Sequence, residues 1–108
     1  MSNLNLQSMI GGWIIGDFEP SLNKNPNFEV GIKNYNAGEF VDKHYHKVAV
    51  EYTVIIEGIA VMNGIQYHTG DIVVVNPNQI SDFRAITDVK TVVVKIPSVK
   101  NDKYLIND

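Results

Sequence analysis

Gly38-Glu39-Phe40-Val41-Asp42-Lys43-His44-Tyr45-His46-Lys47-Val48-Ala49-Val50-Glu51-Tyr52-Thr53-Val54-Ile55-Ile56-Glu57-Gly58 is the stretch from which the rest of the chain is read. His44 and His46 are two residues apart, so on an extended strand both rings leave the same face and can converge on one ion. Glu51 has the opposite parity. It joins the histidines only if the chain turns near Lys47 and Val48 and Glu51 projects from the next antiparallel strand. Gly38 and Gly58 suit the turns into and out of this unit, where a positive φ carries little steric cost.

Working outward, the regular segments are short, rich in Val, Ile, Tyr and Thr, and separated by Gly, Pro, Asn and Asp. That pattern predicts an all-β sandwich or barrel with almost no helix. Phe28, Val30 and Ile32 alternate with Glu29, Gly31 and Lys33, and Val92, Val94 and Ile96 alternate with Val93 and Lys95. Both carry the period of two that marks a strand. Asn63-Gly64 between two apolar runs predicts a tight type I′ hairpin. Strands are expected near 11–15, 28–35, 39–45, 49–57, 59–62, 65–67, 71–75, 82–87 and 89–96, with Pro20 to Asn27 as a surface loop.

At 108 residues and 12.1 kDa, with 44% hydrophobic residues, the chain has room for a single domain and one core. Residues 1–9 read as a leader without the basic and apolar regions of a secretory signal, and 98–108 as a tail. Apolar runs stop at about four residues, against roughly 20 for a membrane helix, so no membrane association is expected. Nine basic against twelve acidic residues give −3 and a pI near 5.5, which makes nucleic acid a poor partner. Cysteine is absent. Any metal must therefore be held by His and carboxylates, and a cytoplasmic location fits.

Gly38, His44, His46, Glu51 and Gly58 stand at the spacing Gly-x5-His-x-His-x4-Glu-x6-Gly, which resembles the first motif of the cupin superfamily. The second motif, Gly-x5-Pro-x-Gly-x2-His, is partly present from Gly70 to Asp82. Counted from Pro77, Asp82 takes the place of the motif's histidine; counted from Gly70, Ser81 does. The resemblance covers about residues 28–97 and implies a double-stranded jelly-roll β-barrel with the motifs lining its interior. It also implies a divalent ion (Zn²⁺, Mn²⁺, Fe²⁺, Co²⁺ or Ni²⁺) on His44, His46 and Glu51. Asp82 either adds a fourth ligand or pairs with Arg84.

On this reading the chain is a metal-dependent enzyme acting on a small polar molecule such as a sugar, hydroxy acid or keto acid. Glu51 or its neighbour Tyr52 relays a proton, and Arg84, Lys33 and Tyr35 meet the substrate. Two alternatives stand beside it: a non-catalytic binding module using the same site, and a metal-free structural barrel. His68, in a turn, is expected at the surface. Trp13 is expected as a core or subunit-contact anchor, with the strand around it pairing two subunits into a homodimer.

Overall fold

The computed structural model describes residues 1–106. Ten strands form among them: β1 (Trp13–Ile15), β2 (Glu29–Tyr35), β3 (Phe40–Tyr45), β4 (Val50–Glu57), β5 (Ile59–Met62), β6 (Ile65–His68), β7 (Ile72–Val75), β8 (Ser81–Ala85), β9 (Val89–Ile96) and β10 (Tyr104–Leu105). They make two antiparallel sheets, β1-β2-β9-β4-β7 and β10-β3-β8-β5-β6. The expected all-β jelly roll is the fold that forms. Asn63 and Gly64 have φ of 51° and 76°, the left-handed pair that a tight hairpin between β5 and β6 requires. β1 starts later than its apolar residues suggest because Gly11 and Gly12 turn the chain with φ of 60° and 80°. A Cβ on Gly12 would lie 2.0 Å from the Ile32 carbonyl oxygen, so only glycine allows this approach to β2. β10 escapes sequence reading because two residues carry no periodicity. No helix among the described residues is long and apolar enough to cross a membrane.

The interior divides into an apolar and a polar end. Ile55, Met62, Val75, Phe83 and Val89 pack at one end with Ala60 and Ala85, and Ile55 is 0% exposed. His44, His46, Thr53 and Ser81 are buried nearer the other, and Thr91 is buried level with Ile55. Register places the rows: Glu29, Lys95 and Glu51 stand abreast across β2, β9 and β4, and Lys33, Thr91 and Ile55 four residues further along. These are the inward positions. The apolar members of the two alternating segments, Val30, Ile32, Val92 and Val94, therefore face outward, and Glu29, Gly31, Lys33 and Lys95 face the barrel. A barrel that keeps polar groups inside inverts the usual sidedness of a half-buried strand.

Candidate ligand site at the polar end of the barrel

The turn between β3 and β4 brings the first motif together. His44 sits on β3, His46 just past its end and Glu51 at the second position of β4. The turn is braced on both sides. The Asn78 N–H donates to the His46 carbonyl at 2.6 Å, and Asp102 accepts from the backbone N–H groups of Lys47 (2.9 Å), Val48 (3.2 Å) and Ala49 (3.0 Å). Three successive N–H groups converging on one carboxylate form an anion nest. Burial works to raise the Asp102 pKa, but the N–H donors of Ala49, Lys47 and Val48 outweigh it and hold the carboxyl below its ordinary value. Asp102 lies in what sequence reading takes as a tail. No motif points to it.

The two imidazoles meet edge to face, with ring centroids 5.2 Å apart. His44 Nδ1 lies 2.8 Å from the Asp42 carbonyl oxygen, so that nitrogen is assigned the proton and Nε2 is left as an acceptor when the ring is neutral. His46 is 3% exposed, and its Nε2 is buried without a hydrogen-bond partner. Burial first, then the Lys95 ammonium and His44, push its pKa down to about 4. It is a neutral imidazole at pH 7.

Both rings face a cavity of about 330 Å³ that also holds Lys33, Tyr35, Glu51, Ser81 and Lys95 in its wall. Tyr35 packs on Phe83 with centroids 4.5 Å apart. Burial, then the carboxylates of Glu51 and Glu39, push its pKa up to about 12, so the phenol remains a hydrogen-bond donor. Lys33 and Lys95 each hold their ammonium 4.9 Å from the Trp13 ring centroid, and Lys103 lines the same mouth. Lys33 also donates to the Gly11 carbonyl, and its pKa is lowered by burial and by its neighbours Lys95 and Lys103. None of the three lysines has an ion-pair partner among the described residues.

Trp13 thus sits over the cavity mouth. Its ring rests on Gly31, where an added Cβ would come within 2.7 Å of the indole. Gly31→Ala is expected to displace the indole and cost about 2 kcal/mol, read by thermal or urea unfolding together with a change in Trp fluorescence. Unchanged stability and emission would show that the ring does not rest there.

No protein-family model and no curated protein matches the sequence. Solved structures do resemble it. An uncharacterised conserved protein with a double-stranded β-helix domain from Klebsiella pneumoniae superposes with a TM-score of 0.70 at 21% identity, over 78% of this chain and 74% of that one. KdgF from Halomonas sp. gives 0.65 at 15%, over 71% and 74%. Pac13, a nucleoside dehydratase from Streptomyces, gives 0.68 at 15%, over 77% and 71%. The chain has the cupin-type double-stranded β-helix fold. At these identities the likeness is one of fold, and what those proteins act on is theirs.

Within this cupin fold the expected site residues separate. His44, His46, Glu51, Lys33 and Tyr35 line the cavity. Tyr52 does not: it lies on the outer face of β4 and is 36% exposed, because its neighbours Glu51 and Thr53 take the inward parity. Arg84 is exposed beside Phe40 and Leu105, in an outer groove of the second sheet. Asp82 also has outward parity on β8 and reaches only the cavity rim. Its Oδ1 accepts the Asn63 N–H at 2.7 Å, and no ion pair with Arg84 forms among the described residues. Ser81 is the residue at the second motif's histidine position: it is buried and directly opposite His44. His68 is exposed, 3.6 Å from Asp71.

Cupin folds commonly hold a metal, and the residues here meet that requirement only in part. The orphaned His46 Nε2 and the free His44 Nε2 are suitable donors. Yet among the described residues no three His, Asp or Glu side chains converge as a metal site. Two imidazoles fall short of the three protein ligands a catalytic divalent ion takes. Lys95, Lys103 and Asp102 are the site residues that sequence reading missed. The first had a signal, since it shares the parity of Val93 on β9.

Proposed function

We propose that this cupin binds a small hydroxy or keto acid in its polar cavity. The observation that carries the reading is the gathering of Lys33, Lys95 and Lys103 around Trp13 without ion-pair partners. Three ammonium groups crowded at a half-buried mouth favour an anion, because each raises the cost of the others' charge. A carboxylate answers that demand at one end of the cavity. At the other, the Tyr35 phenol donates and the Nε2 atoms of His44 and His46 accept, a set matched to a hydroxyl or carbonyl. Glu51 and His44 are the groups able to take a proton from a bound hydroxyl; Tyr52, on the outer face, is not.

The test is calorimetric titration with a panel of hydroxy and keto acids beside neutral polyols of equal size. Acids are expected to bind and polyols to bind far more weakly. Lys95→Ala is expected to lower acid affinity about tenfold, some 1.4 kcal/mol. Polyols binding as tightly as acids, in both proteins, would remove the proposal.

The orphaned His46 Nε2 favours a second reading, a metal-dependent enzyme in which the two imidazoles hold an ion completed by oxygens of the ligand. It predicts that Zn²⁺ or Mn²⁺ alone raises the melting temperature, and that His46→Gln abolishes the effect. Metal-independent binding of the acid favours the first reading over the second.

A further inference from the structure

We infer that Lys33 captures the carbonyl of an α-keto acid covalently, as a Schiff base, while Lys95 and Lys103 hold the acid's carboxylate. This capture presupposes the acid-binding reading of the same cavity and adds to it the keto class and a covalent bond. The three lysines share one mouth but are not equivalent. Lys33 stands abreast of Thr91 and Ile55, both almost fully buried, whereas Lys95 stands abreast of Glu29 and Glu51, and Lys103 is exposed. Lys33 therefore rises from the inner rows of the sheet into the cavity it helps to line. Among the described residues it is also the one lysine of the three whose amine donates to a backbone carbonyl, that of Gly11. Its nitrogen is thus held in place at the cavity wall.

Three ammonium groups at one half-buried mouth repel one another, and the deepest-set of them sheds its proton at least cost. Burial, then Lys95 and Lys103, lower the Lys33 pKa, which enriches the unprotonated amine that attacks a carbonyl. The Trp13 indole offsets part of this by cation–π attraction, but one ring serves both Lys33 and Lys95. With Lys33 neutral, two ammonium groups remain to meet one carboxylate. In an α-keto acid the carbonyl carbon is bonded directly to the carboxylate, so neighbouring groups must meet the two. Lys33 and Lys95 each lie 4.9 Å from the same ring centroid, so their nitrogens are within twice that distance of each other. The Lys33 lone pair attacks the carbonyl carbon and forms the C–N bond. The carbonyl oxygen takes both amine protons and leaves as water as its C–O bond breaks, and no oxidant or reductant is consumed. Tyr35, two residues along β2 in the same wall, keeps its phenolic proton and is the hydrogen-bond donor available to the developing oxyanion. A hydroxy acid has no electrophilic carbon and binds without forming this bond.

Cyanoborohydride trapping with peptide mapping tests this capture. The full chain is incubated at neutral pH with pyruvate or α-ketoglutarate, and cyanoborohydride delivers a hydride that turns the imine into a stable amine. The adduct is expected on Lys33, as a gain of the acid's mass less one oxygen. It is expected to form about tenfold faster there than on the exposed Lys24, Lys43 and Lys100, because the cavity holds the acid beside the amine. Lys33→Arg, which keeps the charge but offers no free amine, is expected to lose the fast adduct. If that variant fails to fold, the peptide map of the unaltered chain decides alone. Labelling spread evenly over the exposed lysines, a fast adduct on Lys95 instead, or one that persists in Lys33→Arg overturns the inference. Calorimetric binding of the keto acid with no adduct on Lys33 also overturns it and leaves the acid site standing, whereas neither binding nor adduct overturns both.

Discussion

Asp102→Ala is expected to lower unfolding stability by about 3 kcal/mol, read as a fall in the urea midpoint at unchanged m-value. The substitution removes the acceptor for the N–H groups of Lys47, Val48 and Ala49. Lys47 and Val48 can turn to water, because both residues are exposed, whereas Ala49 is buried and its N–H is left unsatisfied. Asp102→Asn is expected to recover only part of the loss, since its amide NH₂ faces donors where a carboxylate oxygen stood. The effect reaches the site as well. Released from the nest, the turn no longer fixes His46 in the cavity wall, so acid affinity falls with stability. An Asp102→Ala protein as stable as the parent would show that the β3–β4 turn holds itself.

Acidification is expected to weaken the fold from about pH 6.5 downward, and His46 is the reason. Its folded pKa is near 4, below the ordinary 6.5, so as pH falls the unfolded chain takes the proton first. The stability this neutral ring contributes is full above pH 6.5 and declines toward pH 4, by up to about 1.4 kcal/mol per pH unit. Lys95 on β9, His44 on β3 and Lys103 on the C-terminal segment all depress this pKa, with Asp102 opposing them. Glu29, raised by burial, works in the other direction, so the difference between the parent and His46→Gln isolates the imidazole. His46→Gln is expected to flatten the curve across this window. Lys95→Ala is expected to make the decline smaller and end it at a higher pH, because the folded pKa rises toward the unfolded value. Below about pH 4 the loss of the depressed Asp102 carboxylate adds a further decline. Parallel curves for parent and His46→Gln from pH 7 to 4 would mean that His46 is solvated rather than buried.

Much of the barrel is legible along the chain because strands announce themselves locally. β2 and β9 alternate, the β5–β6 turn carries Asn63-Gly64, and the nine longer strands fall within a few residues of their expected bounds. The first motif is legible for the same reason: His44 and His46 share a strand face whatever the rest of the chain does. The fourth position was not. The second motif carries an extra residue before Pro77, so its count points to Ser81 or Asp82 depending on where it starts. Only the β3–β8 register, with His44 opposite Ser81, decides between them. Tyr52 failed as a proton relay through parity, since a residue beside an inward glutamate on a regular strand points outward.

The amino-acid order alone determined the strand count within one, the hairpin and the spacing of the histidine pair, because each depends on backbone geometry over a few residues. Three-dimensional packing decided which side of each strand faces inward, since a period of two has two equal sides and local sequence does not mark the one that meets the opposing sheet. It also decided that Lys33, Lys95 and Lys103 share a mouth with Trp13, and that Asp102 braces a turn more than fifty residues earlier. Those contacts join distant segments, and no local pattern encodes the closure that brings them together.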